Sequence, residues 1–186
     1  MKIIFKRILF VILIMLPVNA ALAGTPAGDA GYESESSDYD SEVESLFNVT
    51  GDEIVETAKK YIGTPYRYGS KGPKSFDCSG FTSYVYGSNN IKINSNSRSQ
   101  FTEGLSVEKD DVKVGDLVFF GGSRSRGVGH VGIISSVNED GSFKFIHASC
   151  SNGVTESDSN EPYYQRRYKG ARRILADYSD IMAYSK

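Results

Sequence analysis

Three side chains in this sequence are of the right kind for thiol chemistry and stand in settings that favour it. Cys78 is one of two cysteines, and His130 and His147 are the whole complement of histidine. Cys78 follows a Gly-Pro-rich stretch, Gly69-Ser70-Lys71-Gly72-Pro73, and precedes Phe81, Tyr84 and Val85, which recur at helical spacing. That pattern predicts a helix from about Cys78 to Tyr86 with the cysteine at its start. There the free N–H groups and the positive end of the helix dipole favour a thiolate. Both histidines fall on segments that read as strands. Val128 to Val137 is β-branched and bounded by glycine, and Phe143 to Ala148 alternates before turning apolar. Between them Asn138-Glu139-Asp140-Gly141 is a hairpin signal. In an antiparallel pair both histidines lie toward the ends away from that turn and can share one face. A cysteine at a helix start facing two neighbouring imidazoles suits nucleophilic catalysis, in which one imidazole takes the thiol proton and a second polar group orients it.

The elements that must hold these residues can be read from the same patterning. Thr50-Gly51-Asp52-Glu53 is a capping-box pattern ahead of Ile54, Ala58, Tyr61 and Ile62, which predicts a first helix over about 52–61. Ser97 to Glu103 reads as a short helix or turn closed by Gly104. Strands are expected at Asp116–Phe120, His130–Val137, Ser142–Ala148 and Arg172–Ala176. Glu161-Pro162 opens a short helix that Gly170 ends, with proline where its missing N–H costs little. Asp116, in Gly115-Asp116-Leu117, reads as a turn residue. Helices first and strands after give an α+β fold with a mainly antiparallel sheet.

Taken in order, these pieces resemble the NlpC/p-sixty family of bacterial cell-wall cysteine peptidases. The matching stretches are Tyr61 to Gly69, Phe76-Asp77-Cys78-Ser79-Gly80-Phe81, Ser97-Arg98-Ser99-Gln100, Val114 to Phe120, Gly129-His130-Val131-Gly132-Ile133 and Phe145-Ile146-His147-Ala148-Ser149. The tail, from Asn160 to Tyr164 and from Arg167 to Leu175, is similar to the closing part of single-domain murein endopeptidases. The resemblance spans roughly residues 52–176 and implies a papain-like domain with N-terminal helices packed on the sheet. It implies Cys78 as nucleophile, His130 as base and His147 as the residue orienting His130. It further implies Tyr66 as a hydroxyl donor to the oxyanion, and Asp77 and Ser79 as contacts to a peptidoglycan stem peptide. The Asp77 carboxylate would suit a free ammonium on that substrate. Arg98 has the fork geometry to pair with a substrate carboxylate, and equally reads as a solvated surface arginine.

The remainder of the chain bounds the setting. Lys2, Lys6 and Arg7 precede an apolar run from Ile8 to Leu16, and Ala21-Leu22-Ala23 is a cleavage signal, so residues 1–23 read as a signal peptide. The run is shorter than the ~20 residues of a membrane span, and no cysteine stands near the cleavage site to take a lipid. A secreted or periplasmic protein with no membrane anchor after signal cleavage is therefore expected. Residues 24–49 form an acidic linker, with seven carboxylates and no basic residue between Asp29 and Glu44. The domain, residues 50–186, is close to neutral and carries no basic stripe, so no nucleic-acid partner is expected. It is long enough to bury a core as a monomer.

Cofactors and metals are not expected. His147 and Cys150, three apart on a strand, would point to opposite faces and could not share an ion. Gly121 to Gly129 lacks the Gly-Lys-Ser/Thr of a phosphate loop and leads into a strand, and is read as a mobile loop beside the His130 end of the cleft. Cysteine counting alone leaves a Cys78–Cys150 disulfide open for a secreted chain, and with it a stapled binding protein; a non-catalytic wall-binding module is the other alternative. Strand alternation predicts instead a free, partly buried Cys150 facing away from His147, some 10 Å further along at ~3.3 Å per residue.

Overall fold

The structure, a computed structural model, describes residues 49–122, 127–176 and 180. The expected signal peptide, and the expected acidic linker up to residue 48, lie outside the described residues, as do residues 123–126 of the loop before His130. The fold is α+β. Its elements in chain order are α1 (Gly51–Lys59), α2 (Cys78–Ser88), α3 (Ser97–Gln100), β1 (Leu105–Val107), a 3-10 turn (Lys109–Asp111), β2 (Leu117–Gly121), β3 (Val128–Val137), β4 (Phe143–Ser149), β5 (Gly153–Asp158), α4 (Pro162–Gln165) and β6 (Tyr168–Arg173). The strands form one sheet in the order β1-β6-β2-β3-β4-β5, with every neighbouring pair antiparallel.

The capping box forms as the sequence predicts. Thr50 Oγ1 accepts from the Glu53 N–H at 3.2 Å, and the Glu53 carboxylate accepts from the Thr50 N–H at 3.0 Å. Behind this cap Ile54, Val55 and Ala58 bury one face of α1. They join Phe76, Phe81 and Val85 against Leu117, Phe119, Val131, Ile133, Ile146 and Ala148 on the sheet. Alternation sends the intervening strand residues to the opposite face. There Val118, Phe120, Ile134, Phe143, Phe145 and Ala171 pack with Tyr164 of α4. The two histidine strands are joined by the anticipated turn, with the Asn138 N–H bonded to the Ser142 carbonyl at 2.8 Å and Gly141 at φ +76°. A register shift between Ile134 and Ser136 inserts one extra residue in β3.

Several elements depart from the sequence reading. β1 and β5 were not anticipated: Leu105-Ser106-Val107 is very short, and Gly153-Val154-Thr155-Glu156-Ser157-Asp158 is a polar sheet edge with little hydrophobic signal. The last strand begins four residues earlier than expected, at Tyr168. Gly170 therefore lies within it, paired with Phe119, and does not end α4. Asp116 does more than turn the chain. It is buried and takes two hydrogen bonds from Arg173, at 3.0 and 2.9 Å, which fastens the start of β2 to the end of β6.

Candidate active site

Asp77 sets the start of α2. Its Oδ1 accepts from the Gly80 N–H at 2.6 Å and its Oδ2 from the Gly69 N–H at 2.9 Å, so this residue caps the helix and ties it to the preceding loop. The Ser79 hydroxyl turns inward to Asp77 Oδ1 and the Ser95 carbonyl, at 3.2 and 3.1 Å. Gly80 is dictated by packing: a Cβ there would stand 2.2 Å from the Ser70 carbonyl oxygen. From the other side the buried Gln100 donates to the Ser79 carbonyl at 3.2 Å and accepts from the Thr82 hydroxyl at 3.0 Å. The first turn of α2 is thus held on three sides, and Cys78 is its first residue. The structural duties of Asp77, Ser79 and Gln100 went unread in the sequence, although an aspartate three residues before a glycine at a helix start is a capping signal.

Cys78 is half-buried at a cleft of about 390 Å³ whose lining includes Tyr66, Tyr68, Asp77, Ser79 and Arg98. Its thiol is hydrogen-bonded by the backbone N–H groups of Ser79 and of Val131, the residue after His130. Tyr66 packs on the core and is also part of the cleft lining. Burial first, then a hydrogen bond with Cys150 and the nearby Cys78 and Asp77 charges, push the Tyr66 pKa far above its ordinary value, so the phenol remains a donor. Arg98 is exposed and its Nε meets the Val128 carbonyl at 3.4 Å.

The hairpin brings the histidines together. His130 Nε2 and His147 Nδ1 are 2.8 Å apart, with the ring planes at 89°. Gly132 makes room for the pair: a Cβ on it would lie 3.1 Å from the His147 Cβ and 2.8 Å from the Phe145 ring. His147 is buried, and its Nε2 faces Ser157 Oγ at 3.1 Å and the Tyr164 hydroxyl at 3.2 Å. Ser157 and Tyr164 come from β5 and α4 and carried no sequence signal as site residues.

The electrostatics correct one expectation. The helix start does not leave the thiol acidic: burial pushes the Cys78 pKa up to about 11, the adjoining Asp77 carboxylate adds to the rise, and the hydrogen bonds from Val131 and Ser79 only partly offset them. Burial lowers His130 to about 4. Burial and then the charge of His130 lower His147 to about 3. At neutral pH the free site holds a thiol and two neutral imidazoles, where a thiolate–imidazolium pair was expected. Burial of the thiol, and then the capping carboxylate beside it, outweigh the helix dipole.

Cys150 is free, as is Cys78, in contrast to the Cys78–Cys150 disulfide of the stapled alternative. It is exposed, however, and lies beside Tyr66 within electrostatic reach of Cys78. β4 ends at Ser149 and Cys150 sits in the following turn, so strand alternation does not govern its direction. Among the described residues no group of three His, Cys, Asp or Glu side chains could hold a metal ion.

Comparison with known proteins adds relatives to this geometry. The model of the NlpC/P60 family matches residues 63–173. A protein of Escherichia coli K12 named murein DD-endopeptidase MepS/murein LD-carboxypeptidase is 37% identical over 125 residues, covering 66% of this chain and 62% of the relative. The gamma-DL-glutamyl hydrolase of Bacillus subtilis is 36% identical over 123 residues, covering 65% of this chain and 29% of the relative. The chain thus spans less than two thirds of either protein. A crystal structure of an NlpC/P60 family protein from Bacillus cereus superimposes with a TM-score of 0.62 at 33% identity, over 69% of this chain and 41% of that one.

Proposed function

The chain belongs to the NlpC/P60 family, and from that premise we propose that it is a peptidoglycan hydrolase, a cysteine endopeptidase acting on stem peptides or their cross-links. The observation that carries the reading is the 2.8 Å His130–His147 hydrogen bond on strands whose Val131 N–H holds the Cys78 thiol. Cys78 is the nucleophile. Since His130 Nε2 is engaged by His147, Nδ1 is the nitrogen left to take the thiol proton, and it later returns that proton to the leaving amine. His147 orients His130 in the manner of a triad's third member. Because thiol and imidazole begin neutral, the proton moves as the sulfur attacks, and the tetrahedral oxyanion is met by the Cys78 N–H at the helix start and the Tyr66 hydroxyl. Arg98, exposed at the cleft rim, is available to a substrate carboxylate, and Asp77, its oxygens engaged, offers its charge to a substrate ammonium.

Two bonds suit such an enzyme, D-alanyl to diaminopimelate across a bridge and D-glutamyl to diaminopimelate within a stem, and the first is preferred. The preference rests on the likeness to the E. coli murein DD-endopeptidase. Action outside the cytoplasm, with residues 1–23 as signal peptide, 24–49 as acidic spacer and 50–186 as the peptidase domain, fits such a substrate. Digestion of purified cross-linked muropeptides followed by mass spectrometry tests the reading. Conversion of dimers to monomers supports the bridge bond and release of shortened stems the other. Cys78→Ser and His130→Ala are expected to abolish both, and retention of activity by either variant would overturn the assignment.

A further inference from the structure

The His130–His147 hydrogen bond has a direction that the two rings do not choose by themselves. If neutral His130 carries its proton on Nε2, it donates to His147 Nδ1 and keeps a lone pair on Nδ1. If His147 instead donates from Nδ1, it consumes the His130 Nε2 lone pair, and the His130 proton sits on Nδ1. Only the first arrangement can accept a thiol proton. It requires His147 to carry its own proton on Nε2, buried, and therefore to find an acceptor there.

Two hydroxyls meet that nitrogen, Ser157 Oγ at 3.1 Å and Tyr164 OH at 3.2 Å, and Ser157 Oγ donates to Tyr164 OH at 3.5 Å. With the serine proton turned to the tyrosine, a serine lone pair is free for His147. The donors then run one way: His130 Nε2–H to His147, His147 Nε2–H to Ser157, Ser157 O–H to Tyr164. Both hydroxyls are firmly placed. Ser157 is paired with Phe145 in the sheet, and the Tyr164 ring packs against Phe120, Phe145 and His147.

We propose that Ser157 and Tyr164 are positioning residues that fix the His147 tautomer and, through it, hold His130 with Nδ1 free. The inference rests on the reading of His130 as base. Removing Ser157 leaves His147 Nε2 facing the Tyr164 hydroxyl, which can either accept from it or donate to it, so the direction of the chain is no longer fixed.

The test is Ser157→Ala, with Ser157→Thr as the variant that keeps the hydroxyl, read by kinetics and by long-range 15N NMR of the histidine rings. Wild-type protein is expected to show Nε2–H tautomers for both histidines. Ser157→Ala should populate the Nδ1–H form of His130 and lower kcat about ten-fold, the ratio that accompanies loss of one buried hydrogen bond, with KM unchanged. Ser157→Thr should restore both. A Ser157→Ala protein with wild-type kcat and unchanged tautomers would overturn the proposal. The tautomers are read on free protein, so they report on it even if His130→Ala were to keep activity, an outcome that would sink only the base assignment.

Discussion

Holding two imidazoles neutral in a poorly hydrated site should make this domain sensitive to mild acid. Both histidines have folded pKa values below the ordinary 6.5, at about 4 for His130 and about 3 for His147. The unfolded chain therefore binds protons at pH 5 that the folded chain does not. Stability is full above about pH 6.5 and is lost as pH falls toward the folded values. At pH 5 each histidine is about 1.5 pH units below its unfolded pKa and still neutral when folded, which corresponds to about 2 kcal/mol per group and about 4 kcal/mol for the pair. Against the ~5–15 kcal/mol that holds a typical domain, this is a large fraction. The assay is equilibrium urea denaturation of wild type and of His130→Asn/His147→Asn at pH 7 and pH 5. The wild type is expected to lose about 4 kcal/mol more than the double variant between the two. Equal losses would refute the claim that burial keeps the pair neutral.

Other expectations follow from the same geometry. Gly132→Ala puts a methyl group against Phe145 and the His147 Cβ; it should cost about 1–3 kcal/mol in a denaturant titration and lower kcat with little change in KM. Cys150→Ser should keep most of the activity, since a hydroxyl can replace the thiol beside Tyr66, and peptide mapping of non-reduced, freshly purified protein should show no Cys78–Cys150 link; a ten-fold loss of kcat would make Cys150 part of the machinery. With a thiol near 11 and an imidazole near 4, kcat/KM on a soluble peptide should be flat from about pH 5.5 to 8.5. A narrow bell centred near neutrality would restore the thiolate–imidazolium pair.

What was legible in the sequence was what leaves a local signature. The capping box at Thr50, the apolar periodicity behind Cys78 and the Asp-Gly turn between a β-branched and an alternating run each encode a neighbour a few residues away, and the last of these brings His130 within hydrogen-bond reach of His147. The parts that were missed depend on distant chain. Ser157 on a polar edge strand and Tyr164 in a one-turn helix reach His147 only through tertiary packing. The thiol's environment was misjudged for a different reason. The helix dipole was counted, while the burial of the thiol and the capping carboxylate one residue away, which act more strongly, were not.

As the proposed nucleophile, Cys78 attacks a wall peptide and passes through a covalent thioester. Rapid acid quench of the enzyme during turnover of cross-linked muropeptides, followed by peptide mapping, measures this directly. The mass of the acyl fragment is expected on the peptide carrying Cys78 and is expected to be absent in Cys78→Ser. Product formed at the wild-type rate by Cys78→Ser, or an acyl adduct found on Cys150 instead, would contradict it.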